Sequence, residues 1–139
     1  MRHPHYLLDT NICIFYMKGQ YNLNRILTDK NKRYCHISEI TVAELFYGAS
    51  CSNRKESVTR EVERFVNEFH VVPIFSSLPT YADIKAGLRM SGRMIDDFDL
   101  LIGATALHNK MVLVTENIKH MSHIPLLQLE NWIDRTSGN

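Results

Sequence analysis

Cysteine is scarce in this chain of 139 residues: Cys13, Cys35 and Cys51 are all it has. An odd number at irregular spacing argues against a disulfide framework and for reduced, mostly buried thiols in a cytoplasmic protein. No apolar run approaches the roughly 18 residues that a membrane span requires. The first residues lack a charged-then-apolar leader, and Asp9 interrupts the first apolar stretch, so no secretion signal is expected. Neither sign of charge is in excess, with a net charge of +1. Near-neutrality neither demands nor excludes a nucleic-acid partner, because the local field over a site decides that. Repeats, low-complexity tracts and long linkers are missing too. A single domain over residues 1–139 is expected, large enough for a real core.

What is present is an alternation of short apolar runs with amphipathic stretches, which predicts βα units and a mostly parallel sheet. His5–Leu8, "RYCHIS", "HVVPIF" and "MVLVT" read as strands, and "PLLQL" as a weaker one. Pro73 puts the third strand at an end or edge. Thr10 is the expected cap of a helix carrying Ile12, Ile14, Phe15 and Tyr16. "GQYNLNRILTDKN" gives a short helix with Leu23, Ile26 and Leu27 inward. "SEITVAELFYGAS" opens with Ser38 or Thr41 as cap and is expected to stop at Gly48. From Arg54 to Phe69 the pattern is amphipathic, with Val58, Val62, Phe65 and Phe69 at helical spacing. "LPTYADIKAGLRMSG" is a helix with Pro79 near its start, Ile84 and Leu88 inward, and Gly92 as its stop. "DLLIGATALHN" is apolar nearly all round and predicts a buried helix. "ENWID" reads as a short helical turn.

The carboxylates carry the chemistry. Asp9 ends the first strand, and ligands of open parallel sheets bind beyond the carboxyl ends of strands. It reads equally well as a helix cap. Glu44 lies in a stretch with little polar surface, where a lone carboxylate costs several kcal/mol by rough estimate. It either emerges at the helix edge or shares a site with a cation. Asp96, Asp97 and Asp99 crowd the start of the buried helix. One acid there suits the helix dipole, while three repel one another and call for a bound cation unless the loop is simply solvated. "VLVTENIKHM" repeats the opening theme, and strand ends of one parallel sheet share an edge. Asp9 can therefore meet the turn Thr115–Asn117. Several carboxylates suit a hard cation such as Mg²⁺ or Mn²⁺.

Two relatives in chemistry are excluded by what is missing. A phosphotransferase of the haloacid-dehalogenase type needs a second acid where Asn11 stands, and a phospho-acceptor domain needs an acid after "VVPIFSS".

The pieces "LLDTNICI", "ISEITVAELFYGAS", "SGRMIDDFDLLIGATAL", "VLVTEN" and "LENW" resemble, in order and over nearly the whole chain, the PIN-domain family, and within it the VapC-type ribonuclease toxins of prokaryotic toxin–antitoxin pairs. The resemblance implies an α/β/α sandwich around a parallel sheet and an Mg²⁺- or Mn²⁺-dependent endoribonuclease. Carried over by motif, Asp9, Glu44, Asp97 and Asp99 form the catalytic and metal-binding set. Thr115, Asn117 and Asn11 stand behind them as supports. Asn117 falls where the family carries Asp or Asn, which leaves at most four close carboxylates and one resting ion, a second arriving with substrate. Asp96 occupies a position often held by glycine, and "LIGA" replaces the usual "LIAA" with little expected effect.

The resemblance also implies a cognate VapB-like antitoxin that blocks the groove, and a homodimer. Ile12, Phe15 and Tyr16 are the expected contact points. The alternative is a non-catalytic PIN-like scaffold that binds RNA or protein. RNA needs basic partners beside an acidic pocket. Lys85, Arg89 and Arg93 are the candidates, Lys85 and Arg89 sharing a face at i,i+4, unless that face is merely solvated. Tyr16 and Phe98 could stack on a base or fill the core. The seven histidines are scattered; His120 and His123 stand at a separation that can bind metal, and read otherwise as surface-loop residues.

Overall fold

Tyr6–Leu8 (β1) has all three side chains buried, which an exposed edge strand would not tolerate. In the computed structural model, which describes residues 3–137, β1 is the middle of five parallel strands. The others are Cys35–Ser38 (β2), His70–Val72 (β3), Val112–Val114 (β4) and Leu129–Glu130 (β5), in the order β3-β2-β1-β4-β5. Leu7 lies opposite His36 on β2 and Leu113 on β4. β3 is at the edge, as Pro73 requires.

Both faces of the sheet are covered, so its strands are apolar throughout rather than alternating. One face carries Tyr6, Leu8, Ile37 and Val114 against Thr10–Met17 (α1), Leu23–Lys30 (α2), part of Glu39–Cys51 (α3) and Lys55–Asn67 (α4). The other carries Leu7, Val72 and Leu113 against Leu78–Met90 (α5), Asp97–His108 (α6) and Ile118–Met121 (α7). Leu7, Leu8, Ile37 and Leu113 are fully buried, each contributing about 1.5–3 kcal/mol by burial. The result is a three-layer α/β/α sandwich.

Several boundaries differ from the sequence expectation. Asp9, not Thr10, caps α1: its carboxylate accepts from the Thr10 N–H at 2.7 Å. Ser38 caps α3 through the Ile40 N–H. That helix runs past Gly48 to Cys51, because Leu45 and Ala49 keep its inner face in the core. α5 stops at Met90, and Gly92 with φ of 73° closes it. The Gly92 and Arg93 N–H groups return to the carbonyls of Arg89 and Leu88. "ENWID" is not helical; Trp132 and Ile133 are buried in extended chain, and a 3-10 turn follows at Arg135–Ser137. Ile12 is fully buried and is therefore no contact point for a partner, whereas Phe15 and Tyr16 are partly exposed.

At the opposite edge from the carboxyl ends, three imidazoles form a chain across three strands. His5 Nδ1 lies 2.8 Å from His36 Nε2, and His36 Nδ1 lies 3.1 Å from His70 Nδ1. Burial, then the neighbouring His5 and His70, pushes His36 down to about 4. The folded state thus holds fewer protons than the unfolded chain between that value and the ordinary imidazole value near 6.5. Stability is complete above about pH 6.5 and falls as the pH drops toward 4, by up to about 3 kcal/mol. Thermal melts at pH 7.5 and pH 5 should show this slope, and His36→Phe should flatten it; an unchanged slope would contradict the assignment.

Candidate active site

β1 and β4 end side by side, and their register brings the first acid to the last turn. The Asp9 N–H donates to the Val114 carbonyl at 2.9 Å, extending the ladder by one step. The Thr115 hydroxyl, fully buried, donates to Asp9 Oδ2 at 2.7 Å. The same Thr115 oxygen accepts from the Asn117 N–H at 3.0 Å, and Asn117 Oδ1 lies 2.8 Å from His120 Nδ1. A continuous hydrogen-bonded path thus runs from Asp9 through the β4 turn to α7.

The second acid arrives on α3. The Thr10 hydroxyl donates to Glu44 Oε1 at 2.6 Å and lies 2.9 Å from the buried Thr41 hydroxyl. Thr41 and Glu44 are three residues apart on one helix face. One residue of α1 therefore serves two acids: the Thr10 N–H donates to Asp9, the helix cap, while its hydroxyl holds Glu44.

The third acid, Asp99, opens α6. Burial raises its carboxyl to about 6, with Asp9, Asp96 and Glu44 adding repulsion in that order and His120 opposing. Asp9 is raised as well, by burial, against the bonds from Thr115 and Thr10. Three carboxylates, Asp9, Glu44 and Asp96, thus act on Asp99 from three elements of the fold. No lysine or arginine is among the groups that act on Asp99.

Asp97 takes a different direction. Its Oδ1 accepts from Lys85 Nζ and from the Tyr81 hydroxyl, each at 2.8 Å, and Lys85, followed by Tyr81, holds its carboxyl below the usual range. It belongs to the junction of α5 and α6, and Asp96, the cap of α6, is the acid that acts on Asp99. Asn11 is exposed on α1 and takes no part in the bonds joining the acids. Lys85 is engaged by Asp97, and Arg89 is exposed in the last turn of α5. Arg93 lies beyond that helix, its Nη1 3.1 Å from His123 Nδ1. Phe98 is 47% exposed and does not fill the core.

Sequence reasoning read Thr10 and Thr41 only as helix caps, gave Asp96 no role of its own among the crowded acids, and preferred a loop position for His120. Helical spacing held the signal for two of them: Thr41 stands three before Glu44, and His120 three after Asn117.

Among the described residues, no group of three or more His, Cys, Asp or Glu side chains is set closely enough to hold a metal ion. The donor set nonetheless fits a hard divalent cation in charge and chemistry. It is rich in carboxylate oxygen, and Asp99, raised first by burial, is raised further by its acidic neighbours.

Fold and site together define a class: an α/β/α sandwich in which an acid at the end of the central strand meets acids carried by two flanking helices. The PIN domain family model matches residues 6–125, and the chain belongs to that family. It is 38% identical over 132 residues to the protein named Ribonuclease VapC2 of Rickettsia felis, covering 91% of this chain and 97% of the relative. It is 32% identical over 128 residues to the tRNA(fMet)-specific endonuclease VapC of Shigella flexneri, with the same coverage of 91% and 97%. The crystal structure of DNA-bound VapBC from Salmonella typhimurium contains a chain that superimposes with a TM-score of 0.85 at 30% identity, covering 93% of this chain and 98% of that one.

Proposed function

We propose that this chain is the ribonuclease toxin of a toxin–antitoxin pair, an endoribonuclease that hydrolyses phosphodiester bonds at the acid pocket with Mg²⁺ or Mn²⁺. The observation that carries the reading is the half-buried Asp99 carboxyl, raised by burial and then by the charges of Asp9, Asp96 and Glu44, with the His120 imidazole opposing. A divalent ion bound there would lower the pKa of a coordinated water and polarise the scissile phosphate.

The chain's own residues have separate duties in this reading. Asp9 and Asp99 hold the ion, directly or through water. Glu44 orients further water from the α3 side. Asp96 is the fourth acid in place of Asp97, whose carboxylate is committed to Lys85 and Tyr81. Thr115 and Thr10 fix the two oxygens of Asp9, so its carboxylate cannot rotate away. Arg89 and Arg93 offer phosphate contacts beside the acids, while Lys85 acts on RNA only if Asp97 releases it.

The Shigella flexneri relative is named for a transfer RNA, and structured RNA of that kind is the substrate class proposed here. A VapB-like antitoxin is the proposed partner. A groove of about 570 Å³ between α1, α3 and α4 leads along Ile14, Met17, Leu45 and Val58 to Glu44. An amphipathic segment laid in it would end over the acids. A homodimer is proposed as well, on the exposed Phe75, Met90, Met94 and Phe98 flanking α5. Among the described residues, no helix is long and apolar enough to cross a membrane.

The direct test incubates total RNA with the purified protein and Mg²⁺ or Mn²⁺, beside Asp9→Ala. Discrete cuts that vanish with EDTA and in the variant are expected. Equal cutting by both proteins would mean a contaminating nuclease, and no cutting by either with RNA still bound would favour a non-catalytic scaffold.

A further inference from the structure

Arg135 stands past the last strand, in the 3-10 turn Arg135–Ser137, yet its side chain reaches back to the turn that follows β4. Its Nε donates to Glu116 Oε2 at 2.5 Å and its Nη2 to Glu116 Oε1 at 2.8 Å, so the planar guanidinium grips both carboxylate oxygens. Its Nη1 donates to the Tyr21 hydroxyl at 2.8 Å. The same cation lies 5.3 Å from the Tyr21 ring centre and 5.7 Å from that of Phe15, and the two rings meet edge-on at 5.0 Å. Tyr21 has φ of 56°, a left-handed conformation that a tyrosine keeps only where its surroundings hold it. A lone surface ion pair is worth little. This one is bidentate, adds a bond to a phenol and packs on two rings, so a single side chain ties the last turn to two distant parts of the chain.

Those two parts are the ones that hold Asp9. Glu116 lies between Thr115, whose hydroxyl donates to Asp9 Oδ2, and Asn117, whose N–H donates to the Thr115 oxygen. Phe15 lies on α1, whose first residue, Thr10, donates its N–H to the other Asp9 oxygen. We propose that Arg135 is a positioning residue for RNA cleavage: it straps the turn after β4 to α1 and so fixes the Thr115 hydroxyl against Asp9. The inference rests on the nuclease reading given above. Its effect passes through Glu116, so Glu116 matters to the site as much as Arg135 does. Lysine, a point charge without the planar fork, does not replace the guanidinium.

The test compares wild type with Arg135→Gln, Glu116→Gln and the double variant in two measurements. Amide hydrogen exchange by NMR, without metal or RNA, reads the turn directly. The Asn117 N–H should exchange roughly tenfold faster in each single variant, and no faster still in the double, because both changes break one link. Cleavage of bulk transfer RNA with Mn²⁺ reads the consequence. The rate at saturating RNA should fall about tenfold with the half-saturating concentration unchanged, within the usual cost of losing the support of a site. Arg135→Lys should recover little of either. The Leu113 amide, bonded to the Gln128 carbonyl inside the sheet, is the control for folding. Equal acceleration at Leu113 and Asn117 would make Arg135 a general staple of the fold and overturn the proposal. So would a higher half-saturating concentration at full rate in Arg135→Gln, with tighter RNA binding in Glu116→Gln, since the guanidinium would then be a phosphate contact. Unchanged Asn117 exchange in a protein whose wild type cuts RNA would overturn the strap and leave the nuclease reading standing. A wild-type protein that cuts no RNA would overturn that reading, and the positioning role with it.

Discussion

Asp99→Asn should remove RNA cleavage almost completely while making the protein more stable. Loss of one pre-placed charged group at a reacting centre costs roughly 10² to 10³-fold in rate. A carboxylate that also holds the ion belongs at the upper end of that range. The gain in stability follows from the same charge. In the folded protein the Asp99 carboxyl is raised to about 6, against 3.8 for an unperturbed group. Between those values the folded chain binds more protons than the unfolded one, so stability falls as the pH rises through this window. The cost persists at neutral pH. An amide at 99 escapes it, so the variant should melt several degrees higher than wild type at pH 7.5 and no higher below about pH 4. Melts across that range, paired with cleavage assays, check both halves. A variant that cleaves normally, or that melts lower at neutral pH, would break the link between the strained acid and the chemistry.

Gly103→Leu should destabilise the fold and silence the site together, although residue 103 touches no acid. A Cβ built on Gly103 would lie 2.7 Å from Ile124 Cδ1 and 2.9 Å from Met121 Cε. Both atoms are tips of flexible side chains, so the single methyl of Gly103→Ala can be absorbed, and the helix gains up to about 1 kcal/mol of propensity. Alanine should therefore be nearly neutral. Leucine has no such escape. Overpacking of this kind costs about 1–3 kcal/mol, and relief comes by pushing α7 away from α6. Since α7 carries Met121 inward and starts at the Asn117 turn that Thr115 ties to Asp9, cleavage should fall by more than the loss of folded protein explains. Urea unfolding and turnover measured on the same samples separate the two effects. A fully active leucine variant would show that α7 need not pack closely.

Much of the fold was legible because the strands announce themselves. "YLL", "CHIS" and "VLV" are short apolar runs bounded by turns, and sheets covered on both faces demand that pattern. Pro73 marked the edge. The helix ends were harder. Gly48 reads as a stop, yet α3 passes through it because packing of Leu45 and Ala49 outweighs the modest cost of one glycine. At the start of α1, Asp9 and Thr10 are both good caps, and only the register with β4 decides between them.

Asp9 and Asp99 were singled out by their places at a strand end and a helix start, and Glu44 as a lone carboxylate inside an apolar helical stretch. Asp97 was not separable from Asp96 by spacing alone. Asp97 is bonded by Tyr81 and Lys85, which come from another helix, and no spacing along the chain encodes that. The orientation of the His120 ring depends on a side-chain bond to Asn117, and a one-dimensional pattern does not distinguish a fixed ring from a loose one.

The place of β1 has a consequence for how the protein is made. It leaves the ribosome first among the strands, but one of its two neighbours, β4, is among the last. Asp9 and Thr115 are 106 residues apart in sequence. Contacts of such separation form late, because the chain must close a long loop before they reward it. At ordinary synthesis rates of about 5–20 residues per second, several seconds separate the emergence of the first acid from that of its anchoring threonine. A half-translated chain carries the carboxylates but not the frame that gathers them, so any chemistry they perform starts only as translation ends.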